Sequence, residues 1–348
     1  MSKSMTIAIC SYQRRDPLLR LLLSLVAQAR REPSQWEGID VVVVLDGSSD
    51  GSAEAARGIR APFPLLVVAL PHAGLSTARN ECLARATGEL IYFLDDDLVP
   101  ADGTVARHRD AERDDHAQLL LGPCTIPADF PAADGAREWF AARYAELELS
   151  KVVDRFDLFS IANASAPAEV LRSVGGFDPD FVGYGFEDYE LGLRLAEVNV
   201  HERFDPDATA WHYSTVDERL TVTRNRETGR NAVRLLHRHP STVEQLASRA
   251  YSGPAPWMLD RLGLRRPGPL GVIASTAQWL GCRAGPPQRQ PARLLLATAA
   301  AAAHSAGVAD LDPSLVDLFL GRPRRPTVGV LWWRRSSPHD PVAHTEEL

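Results

Sequence analysis

The sequence is poor in cysteine and spreads what it has. Cys10, Cys82, Cys124 and Cys282 are its four cysteines, and no two form a CxxC pair. That excludes a zinc knuckle and a dithiol redox motif and leaves packing as the expected role. An excess of positive charge is also lacking. The 38 Lys+Arg against 45 Asp+Glu give a net charge of −7, which offers no electrostatic footing for nucleic acid. Long hydrophobic runs are missing too: stretches 18–26 and 292–303 fall short of the ~18 residues a membrane-spanning helix needs. The segment 1–13 has no apolar leader core ahead of its first strand-like run, so a cytoplasmic location is expected.

What is present is a hydrophobic content of 45%, ample for a buried core, and a regular alternation of elements. Strand-like runs at 6–10, 40–45, 65–70 and 90–94 alternate with helical patterns at 16–30, 52–57 and 76–86. Alternation of this kind predicts an α/β fold with a mostly parallel sheet, whose ligands sit beyond the carboxyl ends of the strands. After about residue 115 the pattern becomes mixed, with a helix expected at 139–149, a strand at 158–162 and a helix at 189–197. From 221 the chain is rich in Ala, Leu and Arg and broken by Pro-Gly clusters. We expect a catalytic domain over 1–220, a helical extension over 221–320 and a loose tail over 321–348.

Asp95-Asp96-Asp97 directly follows the apolar run 90–94. Three adjacent carboxylates repel one another, and a divalent cation bridging them to a diphosphate would relieve that repulsion. A solvated acidic turn is the plain alternative. Glu187-Asp188 follows Gly183-Tyr184-Gly185-Phe186 and opens a helix. There a carboxylate is favoured by the helix dipole, and the pair reads either as a cap or as a general base. His212, beside Trp211 and Tyr213, is the histidine of choice for a metal ligand. An oxygen site with one imidazole suits Mn2+ or Mg2+. Asp46 ends a strand, and Arg79-Asn80 lies early in a helix; neither is diagnostic alone.

In chain order, Cys10-Ser11-Tyr12-Gln13-Arg14, Leu45-Asp46-Gly47-Ser48-Ser49-Asp50-Gly51-Ser52, Gly74-Leu75-Ser76-Thr77-Ala78-Arg79-Asn80 and Phe93-Leu94-Asp95-Asp96-Asp97 resemble the family 2 glycosyltransferases. Gly175-Gly176-Phe177-Asp178 with the segment 183–190 is similar to the acceptor-side motif of the β-galactosyltransferase and N-acetylgalactosaminyltransferase group. The likeness covers about residues 5–215 and implies a GT-A fold, Rossmann-like, with a nucleotide-sugar donor, UDP being the expected nucleotide. By position, the resemblance implies that Ser11, Tyr12 and Arg14 line the nucleotide pocket and that Asp46 binds the base. Arg79 would hold base or diphosphate, and Asn163 would contact the donor sugar. Asp95 and Asp97, the outer members of a DxD-like motif, would be metal ligands, Asp97 the direct one, with Asp95 or Asp96 serving ribose or diphosphate and His212 a further ligand. Asp188 matches the catalytic base, and Glu187 and Tyr184 would contact acceptor or transferred sugar. One departure matters: Gly185-Phe186 stands where that group has two glycines, so acceptor geometry does not transfer.

The function expected is therefore metal-dependent hexosyl transfer to a hydroxyl with inversion, the acceptor being a glycan, a lipid-linked sugar or a small molecule. A nucleotide-sugar-binding protein without turnover is the alternative from another class. Arg224, Arg226, Arg230, Arg234 and Arg238 lie in one helical stretch and raise a further possibility, peripheral contact with an anionic membrane; a solvated helix face is the plainer reading.

Overall fold

Strand β2 (Ile39–Asp46) is buried along nearly its whole length, as expected of a strand covered by helices on both faces. In the computed structural model it lies between β1 (Met5–Ser11) and β3 (Leu65–Leu70), parallel to both. The structure describes residues 3–111, 118–130, 160–213 and 218–242, together with positions 137, 140, 141, 144, 145, 304, 308, 310 and 311. Strand β4 (Leu90–Leu94) pairs in parallel with the other side of β1. The chain thus runs outward from β1 through β2 to β3 and returns to the opposite flank of β1. That makes the gap between the ends of β1 and β4 the topological switch point.

Beyond β4 the sheet continues with β8 (Asn163–Pro167), β6 (Gln118–Leu121) and β9 (His201–Phe204), with β8 antiparallel to both neighbours. A smaller sheet in the order β5 (Leu98–Pro100), β10 (Ala210–His212), β7 (Cys124–Thr125) continues from the end of β4. Helix α1 (Arg15–Arg31) buries Leu18, Leu21, Leu22, Leu25 and Val26 at helical spacing against Met5, Ile7, Ile9, Val41 and Val43. The alternate residues Ala8, Val42 and Val44 face the other way, onto Ala78, Cys82 and Leu83 of α3 (Leu75–Arg85). The remaining helices are α2 (Ser52–Arg57), α4 (Thr104–Asp110), α5 (Ala168–Ser173), α6 (Glu187–Glu197) and α7 (Glu218–Arg238).

Two expectations shift. The strand expected at 158–162 begins instead at Asn163; positions 161–162 form a turn, and 158–159 lie outside the described residues. The segment Asn-Ala-Ser-Ala-Pro has weak strand propensity, and it is pairing with β4, Phe93 opposite Ala164, that makes it a strand. The helix expected from 189 starts two residues earlier, at Glu187, which puts both acidic residues in its first turn. The expected helix 139–149 lies largely outside the described residues, as do Cys282, the tail 321–348 and most of the extension 221–320. Cys10 and Cys82 are unbridged thiols in contact at 3.6 Å between their sulfurs.

Among the described residues no helix is long and apolar enough to cross a membrane. Five arginines of α7 make contacts within the protein. Arg226 and Arg230 grip Asp310 at 2.9 and 2.7 Å, Arg238 reaches Asp178 at 2.9 Å, Arg234 donates to Asn231, and Arg224 lies over the Tyr184 ring.

Candidate active site at the switch point

The carboxyl ends of β1, β2 and β4 deliver Ser11 to Arg14, Asp46 and Asp95 to Asp97 to one edge of the sheet, and α3 and α6 bring Arg79 and Glu187 to the same edge. The three aspartates diverge. Asp96 turns inward, is buried, and accepts a 2.6 Å hydrogen bond from Ser11 Oγ, with Arg14 Nε at 3.4 Å. Burial pushes its carboxyl up to about 7, against the pull of Arg14. Asp97 accepts from Arg14 Nη2 at 2.6 Å, and its Oδ2 is 3.2 Å from His212 Nε2. Its burial alone would raise the carboxyl, but the hydrogen bonds and charges of His212 and Arg14 outweigh that and hold it well below the usual range. Asp95 is the most exposed of the three and turns toward Arg79 Nη2 at 3.4 Å.

His212 reaches Asp97 through sheet register. β5 begins one residue after Asp97 and pairs antiparallel with β10, setting His212 opposite Leu98, while Tyr213 N–H donates to Asp97 O. A metal fits this pair. Two ligands at right angles around an ion with ~2.1 Å bonds lie about 3 Å apart, close to the 3.2 Å between Asp97 Oδ2 and His212 Nε2. Carboxylate plus imidazole is a donor set for Mn2+ or Mg2+. No group of three or more His, Cys, Asp or Glu converges among the described residues, so phosphate oxygens and water would complete the shell. Asp95, expected as a further ligand, is directed away from this pair by Arg79.

Arg79 is buried rather than open to a base or diphosphate. It bridges Asp95 and Glu187 Oε1, the latter at 2.9 Å, with its guanidinium 5.3 Å from the Phe177 ring centroid. Burial pushes Glu187 up to about 7, the charge of Asp188 adds to this, and Arg79 opposes it. Glu187 Oε2 is buried and has no hydrogen-bond partner. Asp188 is half-buried in the first turn of α6, its Oδ1 accepting from Tyr189 N–H at 2.8 Å, and Tyr184 is half-exposed beside it.

Asp46 accepts from Ala73 N–H at 2.7 Å and Gly74 N–H at 2.9 Å, and His72 Nδ1 is 2.9 Å from Oδ2. Its carboxylate therefore shapes the 72–74 turn first and has little capacity left for a base. The sequence reading missed His72, whose ring stacks on the exposed Tyr12 at 4.3 Å between centroids. The available signal was its position in the turn after β3, at the same edge as Asp46. Ser11 likewise holds Asp96 and is buried, so of the three β1-end residues expected at the nucleotide Tyr12 and Arg14 are the ones open to a ligand.

Asn163 departs most from expectation. It is 1% exposed, its Oδ1 accepts from Tyr92 OH at 2.7 Å with His108 Nε2 at 3.0 Å, and its Nδ2 donates to Pro123 O and Ala208 O at 3.1 and 2.9 Å. All four hydrogen-bonding positions of the amide are spent, leaving none for a donor sugar. It is a buried polar junction between the two sheets.

A mostly parallel sheet with an acidic switch point and a second small sheet carrying a histidine to the Asp95–Asp97 edge is a GT-A fold. Residues 6–149 match the model of glycosyl transferase family 2. The chain is similar to validoxylamine A glucosyltransferase of Streptomyces hygroscopicus subsp. limoneus, 26% identical over 70% of this chain and 58% of that protein. It is also similar to the pre-mycofactocin glycosyltransferase of Mycobacterium tuberculosis, 28% identical over 71% of this chain and 52% of the other. The chain spans about three-fifths of the length of the first curated relatives it matches. Among solved structures, the Pyrobaculum calidifontis mannosyltransferase PcManGT in complex with GDP-Man and Mn2+ superposes with a TM-score of 0.54 at 17% identity, over 90% of this chain and 88% of that one. Likeness at that identity bears on the fold alone.

Proposed function

We propose that the protein transfers a hexose from a nucleotide-diphosphate donor, a UDP-sugar, to an acceptor hydroxyl, with inversion. The observation that carries this reading is the meeting of two acidic groups from distant chain segments at the switch point: the β4-end aspartates and the Glu187–Asp188 helix start, tied together by Arg79. The glycosyltransferase names of the curated relatives, and the nucleotide-sugar and Mn2+ complexes among the structural neighbours, support it.

Asp97 and His212 would hold the divalent ion, which when bound neutralises the diphosphate as it departs. Tyr12 and His72 form an aromatic platform beside Asp46 suited to a nucleobase. Arg14 reaches the phosphate side, and Asp96, buried on Ser11, keeps the strand end in place. Asp188 takes the proton from the acceptor hydroxyl as that oxygen bonds to the anomeric carbon and the bond to the diphosphate oxygen breaks. Glu187, with one oxygen on Arg79 and the other unpartnered, can receive or donate a hydrogen bond to a sugar hydroxyl. Membrane contact through α7 is left out of this reading because Arg226, Arg230 and Arg238 are paired with acidic residues of the protein itself.

The test is hydrolysis of UDP-glucose, UDP-galactose, UDP-N-acetylglucosamine and GDP-mannose with Mn2+, followed by NMR of the released sugar. Turnover that disappears with chelator, and an inverted product, are expected. Asp188→Asn should lower turnover by about 10^2- to 10^4-fold. A retained product would remove Asp188 from the base role, and tight nucleotide binding with no turnover of any donor would favour the binding-protein alternative.

A further inference from the structure

The loop Gly183-Tyr184-Gly185-Phe186, which leads into the acidic pair, is held from outside by α7. Tyr184 N–H donates to Glu227 Oε2 at 3.0 Å. Asn231 Nδ2 donates to Gly185 O at 2.8 Å and lies 3.4 Å from Tyr184 O. Thr228 Oγ1 shares its proton between Arg224 O at 2.8 Å and Tyr184 O at 3.3 Å. The Arg224 guanidinium stands 4.7 Å from the Tyr184 ring centroid, a cation–π contact. Arg224, Glu227, Thr228 and Asn231 are spaced i, i+3, i+4, i+7, so one stripe of the helix makes every one of these contacts.

The loop needs such a grip. Gly183 and Gly185 have φ of +87° and +91°, and Phe186, a bulky residue, has φ of +72°. A left-handed Phe costs about 1–2 kcal/mol and persists only where its surroundings over-determine it. The two glycines also let the helix come close. A Cβ at Gly183 would meet Glu227 Cδ at 2.9 Å, and one at Gly185 would meet Thr228 Oγ1 at 3.1 Å. The close approach that these glycines permit is therefore to α7, and Phe186 is the residue from which α6 departs.

We infer that α7 is a positioning element of the active site, in which Arg224, Glu227, Thr228 and Asn231 fix the 183–186 loop and thereby the direction of Glu187 and Asp188. The inference rests on the glycosyltransferase reading of Asp188. None of the four touches the reacting atoms. They act by fixing the backbone from which the base projects, and none of these contacts reaches the donor side, built on β1 to β4.

The test uses the full chain, with Glu227→Ala, Thr228→Val and the conservative Glu227→Gln, which keeps an acceptor oxygen for Tyr184 N–H. Donor hydrolysis with Mn2+ and the nucleotide-sugars above is measured alongside amide hydrogen exchange of the peptide spanning 183–188. Glu227→Ala should speed exchange in that peptide and lower kcat about 10- to 100-fold, the penalty for a displaced catalytic group. Donor KM should change less than about twofold, because the interactions removed contribute nothing to donor binding, and Glu227→Gln should restore most of the rate. Unchanged exchange would sink the clamp. Faster exchange with an unaltered kcat, or equal loss in the Ala and Gln variants, would sink the positioning role. A wild-type protein that hydrolyses none of the donors would overturn the glycosyltransferase reading and the positioning role with it, while the exchange data still decide whether the clamp exists.

Discussion

Arg14 and Arg79 both stand at the carboxyl ends of the parallel strands, and each bridges two carboxylates. Arg14 joins Asp96 and Asp97 and keeps 31% of its side chain exposed; Arg79 joins Asp95 and Glu187 and keeps 5%. The difference decides what each cluster can do. A half-open guanidinium can give up a carboxylate to a competing cation, because water compensates the guanidinium and the incoming cation compensates the carboxylate. A buried one cannot, since Arg79 would be left as an unpaired charge in a dry site. On the proposed function, the triple aspartate would thereby divide into a ligand side, Asp97, and a structural side, Asp95.

The largest effect is expected at the closed cluster. Arg79→Met strips Glu187 and Asp95 of their cation and should cost about 3–5 kcal/mol of stability, the range for removing one partner of a buried pair. Urea unfolding reads this directly, and adding Glu187→Gln should return part of the loss. A cost under about 1 kcal/mol would place Arg79 in the surface class and erase the contrast with Arg14.

Asn163 extends the same logic to the junction between the sheets. Asn163→Ala orphans Tyr92 OH, His108 Nε2 and two carbonyls, with about 3 kcal/mol of destabilisation expected from groups that cost 1–3 each. Donor KM should stay within about twofold, since removing a group that makes no substrate contact leaves binding unaltered. A large rise in KM with intact stability would restore the sugar-binding role that its position in the sequence suggested.

A pH comparison separates the two buried regions further. Burial pushes His108 down to about 3 from an ordinary 6.5, so the unfolded chain takes up its proton first. Its contribution is full above pH 6.5 and is lost as pH falls toward 3. Glu187 has the opposite sign. Raised to about 7 from an ordinary 4.5, it favours the native state fully below pH 4.5 and loses that contribution as pH rises through 7. Between pH 4.5 and 6.5 the two oppose each other. Glu187→Gln deletes one of them, so its stability relative to wild type should climb with pH by about 1.4 kcal/mol per unit in that window. A flat difference would mean Glu187 titrates as an ordinary carboxyl.

Much of the first half of the molecule was legible because its strands are continuous apolar runs and its acidic residues cluster at their carboxyl ends, as with Asp46 and Asp95 to Asp97. Burial by partners was not legible. Nothing in the local pattern around Asn163 or Arg79 announces that residues distant in the chain will saturate them. His72 escaped notice because a single histidine in a turn has no periodicity, and its place beside Tyr12 depends on β1 and β3 flanking β2. The clamp on the 183–186 loop was hidden for another reason. A stripe of Arg, Glu, Thr and Asn reads as a solvated helix face, although here it is the face turned inward.

The smallest stability effect belongs to Arg14, and it is the one that tests the open cluster. Arg14→Met removes an ion pair whose cation is partly screened though its carboxylates are buried, and should cost less than Arg79→Met. Arg14 shares Asp97 Oδ2 with any ion held there. Removing a unit positive charge so close to the ligand oxygen should therefore lower the Mn2+ concentration for half-maximal donor hydrolysis by about threefold or more. Donor KM should rise as the phosphate side loses its guanidinium. If Arg14→Met instead unfolded as readily as Arg79→Met and left the Mn2+ dependence alone, the two clusters would be equivalent ion pairs and the assignment of Asp97 to the metal would lose its footing.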